Sequence, residues 1–190
     1  MAATYLPYEP DQDFLLPPSL NEWLPESHLA YFISDSVDAL DRSAFHARYE
    51  AGGPRNQPFH LAMMVKVLLY AYARGVFSSR KIAAKLHEDV AFRLLAACNQ
   101  PAGRTIRDFR ASHLKELGEL FVQVVRLAWE MGPVKLGTIA EPPNGWIKSV
   151  LGFRQFSMRG LHRITAQWKL VCAALNLRRM CSLQPSAAPA

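Results

Sequence analysis

The sequence predicts a mainly α-helical protein, built as a helical bundle with one short strand and a C-terminal helix. Three observations support this fold class. Apolar residues recur at spacings of three and four along most of the chain, which is the pattern of amphipathic helices. The segment "LAMMVKVLLYAYAR" is apolar nearly all round, which is typical of a helix at the centre of a bundle. "VKLGTIA" is the only convincing strand, and it is short.

The first third of the chain predicts an irregular start followed by helices. Residues 1–18 are acidic and rich in proline, so we expect them to be irregular. Ser27 is a candidate N-cap for a helix that runs to about Leu40. "DRSAFHARYE" predicts a second short helix and "AGGPRNQP" a loop. The apolar central helix then follows, and Gly75 ends it.

The middle third predicts three further helices. Ser78 or Ser79 can cap "SSRKIAAKLHEDVAFRLLAA", and a break is expected near Glu88, where "EDVAFR" resembles a fresh first turn. Thr105 is a candidate N-cap, with Asp108 placed as in a capping box. The helix that begins with "IRDFRASH" continues as an amphipathic stretch of about five turns, ended by Gly132-Pro133. Its apolar positions are Leu114, Leu117, Phe121, Val124, Ala128 and Met131.

The last third predicts the short strand and one long helix. After "EPPNG" the segment "WIKSVLGFRQFSMRG" is mixed in character. A final helix from about Leu161 to Met180 carries one apolar stripe, and residues 181–190 are expected to be disordered. The stripe consists of Leu161, Ile164, Trp168, Val171 and Leu175. It must meet the N-terminal bundle, another protomer or water, and an exposed stripe of this size predicts association or aggregation.

Charge is distributed unevenly along the chain. The whole chain of 190 residues has a net charge of +6, but residues 1–50 contain nine acids against only Arg42 and Arg48. The rest contains 20 bases against seven acids, and after Glu141 there are seven bases and no acid. This asymmetry favours a polyanionic partner, nucleic acid first, although a basic surface without a partner remains the alternative.

Several classes of protein are not indicated. No apolar run is long enough for a transmembrane helix, and the acidic N-terminus lacks the basic start of a secretory signal, so we expect a cytoplasmic protein without a membrane partner. The three cysteines form no C-x-x-C pair, and free, buried thiols are expected. No nucleophile elbow and no glycine-rich phosphate loop is present.

Basic residues gather at the starts of two predicted helices, "GVFSSRKIAAKLHEDVAFRLL" and "GRTIRDFRASH". A helix-turn-helix places the N-terminal end of one helix in the major groove, with basic residues on phosphates and polar residues on base edges. The alternative is a helical bundle with a solvated basic face. The candidate DNA-binding residues here are Ser79, Arg80, Lys81, Lys85, Arg104, Thr105, Arg107, Arg110 and His113, with Arg154 and Arg159 from the basic tail.

Two features near the C-terminus are ambiguous when taken alone. Trp146, Phe153 and Phe156 lie among basic residues, so they either stack on nucleotides or form core beside a basic rim. Glu141 precedes two prolines and reads as a lone loop acid, because a site for two divalent ions needs two or three carboxylates. No second acid follows Met131.

The helical part resembles a known family. "HLAMMVKVLLYAYARGVFSSRKIAAKLHEDVAFRLLAACNQP", "RTIRDFRASHLKELGELFVQVVRLAWEMGPVKLG" and the opening "LPPSLNEWLPESHLAYFISDSVDALD" are similar to the N-terminal domain of bacterial insertion-sequence transposases of the insertion-sequence-five-like superfamily. The resemblance covers about residues 14–140. It implies a domain that binds transposon ends, followed by a ribonuclease-H-like domain with an Asp-Asp-Glu triad and Mg²⁺ or Mn²⁺ as cofactor.

The C-terminal part resembles the far end of that catalytic domain. Glu141 and Lys148 match the family's Glu-x6-Lys spacing, which implies a third metal ligand and a DNA-positioning lysine. Val134 and Gly137 stand where the family has Tyr and Arg, and both aspartates of the triad lack a counterpart. We therefore expect an internal deletion near Ala140–Glu141, a ribonuclease-H-like core that is absent or only a fragment, and vestigial roles for Glu141 and Lys148.

These observations predict four regions: an irregular segment 1–18, a helical transposase domain 19–133, a remnant of the catalytic core 134–180, and a tail 181–190. The expected function is that of a nucleoid-associated transposase-family protein that binds terminal inverted repeats and has lost catalysis. A DNA-binding regulator or inhibitor of transposition and an inert remnant are the alternatives. The chain is expected to associate with itself as a homo-oligomer or with full-length transposase as a mixed oligomer.

Overall fold

Helices account for nearly all the regular structure in the computed structural model, which describes residues 19–46, 59–130, 147, 151–153, 155–156 and 160–183. Within these ranges there are eight α-helices, a 3-10 turn at Leu20–Trp23 and no strand, so the mainly α prediction is confirmed. The helices are α1 (Leu29–Ala39), α2 (Ser43–His46), α3 (Leu61–Ala73), α4 (Ser79–Glu88), α5 (Val90–Leu95), α6 (Gly103–Ser112), α7 (Leu114–Glu130) and α8 (Leu161–Leu183). The predicted irregular segment, strand 134–140, junction at Ala140–Glu141 and most of the tail lie outside these ranges.

The start of α1 corrects one predicted cap. His28, and not Ser27, is the N-cap, and its Nδ1 accepts a hydrogen bond of 3.2 Å from the Ala30 backbone N–H. Ser27 stands one residue too early to reach the first-turn donors. The buried face of α1 contains Ala30, Ile33 and Val37, and it packs on α3.

The central position predicted for α3 is confirmed. Twelve of its thirteen residues are buried, as an all-round apolar helix requires. The exception is Lys66, whose ammonium group reaches Ser34 Oγ at 2.9 Å and Asp38 Oδ2 at 2.7 Å. The helix ends as predicted at Gly75, which has φ +77°, and the Val76 N–H closes the end on the Ala71 carbonyl at 2.7 Å.

The expected break between α4 and α5 is also confirmed. The Asp89 carboxylate accepts hydrogen bonds from the backbone N–H groups of Ala91, at 2.9 Å, and Phe92, at 3.4 Å, so it caps α5 and starts a new helix. At the other end of α5, Ala97 and Cys98 adopt left-handed φ angles of +46° and +59°. These two residues turn the chain towards α6.

The predictions for α6 and α7 need two corrections. The α6 helix begins at Gly103 with Ala102 as N-cap, so Thr105 lies inside the first turn and does not cap the helix. The predicted single helix from "IRDFRASH" onwards is divided at His113, which separates α6 from α7. Of the predicted apolar positions of α7, Leu117 and Val124 are buried, and Leu114 and Phe121 are half-buried. Leu120, which was not predicted, is buried as well.

The C-terminal helix α8 is longer and more deeply buried than one stripe predicts. It runs to Leu183, and every residue from 170 to 177 is buried. Both ends of the helix are exposed, Leu161 at 82% and Leu183 at 61%. The helix packs mainly on α7 and next on α3, so within the described residues the N-terminal bundle covers the stripe except at Leu161.

Candidate nucleic-acid interface

The first turns of α4 and α6 lie against each other. A Cβ atom placed on Gly103 would lie 3.2 Å from both the Arg80 Cα and the Ser79 carbonyl oxygen, which is closer than side chains ordinarily pack on backbone. The absence of a side chain at position 103 therefore allows the two helix starts to touch. This places the basic residues of the two first turns on one part of the surface.

Neither helix start is closed by a side-chain cap. Ser78 and Ala102 occupy the N-cap positions of α4 and α6, and neither side chain accepts a backbone N–H. The first-turn N–H groups of a helix have no intrahelical acceptor, and the helix dipole concentrates partial positive charge there. Two adjacent starts of this kind favour anions, phosphate groups included.

Cationic side chains surround the two helix starts. Arg80 and Lys81 on α4 are exposed, as are Arg104 and Arg107 on α6, whose side chains are 83% and 59% accessible. Within the described part of the chain, no acid forms an ion pair with Arg80 or Lys81. Four cations in one region suit a polyanionic backbone. We call Arg80, Lys81, Arg104 and Arg107 the basic cluster.

The other predicted residues of α4 and α6 lie close to this cluster. Ser79 and Thr105 are half-buried in the first turns of α4 and α6. Lys85 is one turn further along α4, where its ammonium group pairs with the Glu88 carboxylate at 3.2 Å. The structure therefore brings seven of the predicted residues into one region: Ser79, Arg80, Lys81, Lys85, Arg104, Thr105 and Arg107.

Arg110 requires a correction, because it faces the core. Only 4% of the residue is exposed, and its Nη1 donates hydrogen bonds to Tyr72 Oη at 2.8 Å and to the Phe77 carbonyl oxygen at 3.1 Å. Burial raises the pKa of Tyr72, so this hydroxyl stays neutral, and Gln167 of α8 hydrogen-bonds it as well. Arg110 thus ties α6 to α3 and does not present its charge to DNA.

His113 also lies in the core and not on the surface. It is 1% exposed, and its ring lies 4.5 Å from the Phe109 ring and 5.5 Å from the Phe45 ring, measured between centroids. Its Nδ1 lies 3.0 Å from both the Phe109 carbonyl oxygen and Ser112 Oγ. The predicted contact of His113 with DNA is corrected to a packing role at the α6–α7 joint.

Sequence reasoning missed two residues of this region. Gly103 could have been recognised as the small residue that permits a close approach of two helix starts, because it directly precedes the basic turn "RTIR". Asp108 was assigned to a capping box, but its carboxylate pairs with Arg107 at 2.9 Å and with Arg104 at 3.7 Å. It belongs to the basic surface and not to a cap.

The aromatic residues near the C-terminus are divided between core and surface. Phe153 is buried, and its ring meets the Phe77 ring edge-on at 4.7 Å and the Phe156 ring at 5.1 Å. Phe156 is 39% exposed. The core interpretation therefore holds for Phe153. Trp146, Arg154 and Arg159 lie outside the described residues.

The predicted catalytic residues Glu141 and Lys148 lie outside the described residues too. Among the residues that are described, no group of three or more His, Cys, Asp and Glu side chains is placed to hold a metal ion. The roles of Glu141 and Lys148 stay predictions.

The described helices include none with the length and apolar character needed to cross a membrane. α3 is apolar but has only thirteen residues, and the longer α8 carries several polar and charged side chains. A bilayer-spanning helix needs about 20 consecutive apolar residues.

Comparison with known families gives two matches. Residues 18–112, half of the chain, match the family described as Transposase domain (DUF772), and residues 136–181 match the family described as Transposase DDE domain. No curated protein and no solved structure matches the chain. The first match contains α1–α6 and with them the basic cluster, whereas the second contains all but the last two residues of α8. Both matches are to transposase domains and the first spans half of the chain, so the chain belongs to the DDE transposases of insertion sequences.

Proposed function

We propose that this protein binds DNA at the terminal inverted repeats of an insertion sequence, through the basic cluster on α4 and α6, and that it does not cut DNA. The observation that supports the proposal is the contact between the two uncapped helix starts at Gly103 and Ser79. Backbone N–H groups and four exposed cations converge there. Transposases act on DNA, so a surface with these properties in the matched domain is a suitable place for the phosphate backbone.

The expected affinity depends strongly on salt. A protein that neutralises phosphates with Lys and Arg releases counterions, with a slope of log K against log salt of about −0.9 per phosphate contact. The basic cluster alone gives a slope of roughly −3 to −4. Each cation that is removed from the cluster lowers the magnitude of that slope by about 1.

Loss of catalysis is proposed from the acids that the sequence contains. Family chemistry uses three carboxylates to hold divalent ions at the scissile phosphate, with Mg²⁺ or Mn²⁺ as the metal. After Glu130 this chain has a single acid, Glu141. One carboxylate is too few for two divalent ions, so we expect neither tight binding of Mg²⁺ or Mn²⁺ at that position nor strand cleavage.

DNA binding can be tested by fluorescence anisotropy with duplexes that carry the terminal repeats of the element and with shuffled duplexes of the same composition. We expect tighter binding to the repeat, and weaker binding with a shallower salt slope for Lys81→Ala and Arg104→Ala. Arg126→Ala is the matched control, because Arg126 is an exposed cation on α7, away from both helix starts. Equal effects of all three substitutions would contradict the assignment of the interface. Equal affinity for repeat and shuffled DNA would contradict end recognition.

Catalysis can be tested separately with a supercoiled plasmid that carries both element ends, in the presence of Mg²⁺ or Mn²⁺. We expect no nicking. Cleavage that disappears in Glu141→Ala would show that Glu141 still works in a metal site and would overturn the proposed inactivity.

A second candidate function, regulation of transposition, is favoured by the packing of α8. This helix comes from the segment matched to the DDE domain, yet it is buried against α3 and α7. The shortened chain therefore has a continuous helical core, which is expected of a folded regulator and not of an inert remnant.

A cooperative thermal unfolding transition would support this function, as would lower transposition when the chain is expressed beside full-length transposase. Co-purification of the two would show a mixed oligomer. A broad, non-cooperative transition would favour the remnant.

A further inference from the structure

An acidic residue lies in the middle of the basic surface of α6. The exposed residues of this helix are Arg104, Arg107, Asp108 and Ala111, which follow the spacing of a single helix face. Asp108 is the one acid in α6, and its side chain is 55% exposed. It is neither a cap nor a buried counterion, and its partners are the two arginines of the same face, Arg104 and Arg107.

The pairing between Asp108 and Arg107 leaves part of the guanidinium free. Arg107 Nε lies 2.9 Å from Asp108 Oδ1, and Nη2 lies at the same distance from that oxygen. Nε and Nη2 form the side edge of the guanidinium group. The end edge, made by Nη1 and the outer hydrogen of Nη2, is not used by this carboxylate. That end edge is the fork that binds two acceptors side by side.

The position of a carboxylate on a DNA-binding face restricts what the face can contact. Next to phosphates, Asp108 would repel the partner and lower affinity. In the major groove it is tolerable, since base edges offer hydrogen-bond donors as well as acceptors. A fixed arginine fork is most useful there, because guanine presents O6 and N7 as two adjacent acceptors. Arg104 lies on the other side of Asp108, and its Nε is 3.7 Å from Asp108 Oδ2, so the carboxylate holds Arg104 less closely than Arg107.

We infer that Asp108 is a specificity-determining residue, which holds Arg107 by its side edge so that the end edge reads a guanine in the major groove. The inference rests on the proposed DNA-binding function and refines it. Within the basic cluster it assigns Arg107 of α6 to a base edge in the groove, and it leaves Arg80, Lys81 and Arg104 at the two helix starts for the phosphates. The ligand class is duplex DNA with a guanine at one fixed position of the bound site.

The test is enrichment of a random-sequence duplex library by the full chain, followed by sequencing of the bound fraction. The wild-type protein is expected to select a site with one strongly preferred guanine. Asp108→Asn is expected to bind unselected DNA more tightly, because it removes a negative charge, and to lose roughly tenfold or more of its preference at that guanine. Arg107→Lys is expected to lose the same preference, since an ammonium group keeps the charge but has no planar fork. Glu119→Gln is the control, because Glu119 is an exposed acid on α7 that pairs with Lys115 at 3.9 Å, away from α6, and its selected site should be unchanged.

The possible outcomes separate the inference from the proposed function. If the wild-type protein selects a site and Asp108→Asn binds all DNA more tightly with the same preferences, Asp108 is only a surface acid and the inference is overturned. If the wild-type protein shows no salt-dependent binding to any duplex, the proposed function fails, and the inference fails with it. Circular dichroism of each variant verifies the fold, which an exposed side chain such as Asp108 should not affect.

Discussion

Replacement of Gly75 by alanine tests the contact between the N-terminal helices and the C-terminal segment. Gly75 ends α3 with φ +77°, and a Cβ atom there would lie 2.8 Å from the Leu151 carbonyl oxygen and 3.4 Å from the Leu151 Cα. Both neighbouring atoms are backbone, and Leu151 is 5% exposed. The clash therefore cannot be relieved by rotation of a flexible side chain.

The expected destabilisation has two parts. A left-handed φ destabilises the folded state by about 1–2 kcal/mol for a residue with a Cβ. Alanine also lowers the entropy of the unfolded chain, which offsets about 0.4–1 kcal/mol of that cost. Displacement of buried backbone by an inserted methyl group costs typically about 1–3 kcal/mol more. We expect Gly75→Ala to lower the free energy of unfolding by about 2–4 kcal/mol, or the Tm by roughly 5–12 °C in a chain of this size.

Gly152→Ala is the matched control. Gly152 has φ +65°, but nothing lies within 4 Å of a Cβ atom at that position. The same change there should cost only the left-handed part, about 1 kcal/mol or less. Urea unfolding followed by circular dichroism measures both variants. Equal destabilisation by the two substitutions would refute the packing of Leu151 on the end of α3.

Three further predictions concern single contacts. Burial lowers the pKa of His28 below its ordinary value of 6.5, so the folded state favours the neutral ring. The contribution of His28 to the free energy of unfolding should therefore be complete above about pH 7 and should fall as the pH drops through 6.5. Since a protonated Nδ1 cannot accept the Ala30 N–H, His28→Asn should keep the cap and flatten the dependence of Tm on pH, and an unchanged dependence would contradict this assignment. Ala97→Gly should raise the free energy of unfolding by about 0.5–1 kcal/mol, because Ala97 has φ +46° at an exposed site; a lower Tm would count against it. Arg178→Met should lower that free energy by about 1–2 kcal/mol in urea unfolding, because it removes a 2.9 Å hydrogen bond to the Ala73 carbonyl oxygen at the end of α3; no change would show that water replaces the bond.

Local signals in the sequence were sufficient for several elements. The all-round apolar composition of α3 predicted its central position, and twelve buried residues confirm it. The break between α4 and α5 was predictable because the Asp89 carboxylate accepts hydrogen bonds from backbone N–H groups only two and three residues further along the chain. The end of α3 at Gly75 was predictable for the same reason. In each case the decisive interaction lies within a few positions along the chain.

Errors arose where the decisive partner is distant in sequence. Arg110 was predicted to face DNA because helical spacing aligned it with Arg107, but Tyr72 and Phe77 bind it from more than 30 positions away. The start of α6 was placed at Thr105, since a threonine is a good N-cap. The helix begins two residues earlier, at Gly103, where its first turn lies against the backbone of Arg80. Spacing rules contain no information about such tertiary contacts.

The burial of α8 explains how a chain with two separate transposase matches forms one core. The stretch "LVCAALNL", residues 170–177, is buried on every side, so it needs apolar neighbours all round. α3 has the same need, and the two helices meet, with the apolar faces of α7 and α1 beside them. From this core Gln167 of α8 and Arg110 of α6 reach the same hydroxyl, that of Tyr72 on α3. Position and orientation of α6, and with them the basic cluster, therefore depend on a helix from the segment matched to the catalytic domain. The DNA interface and α8 belong to one structural unit, although different families match them.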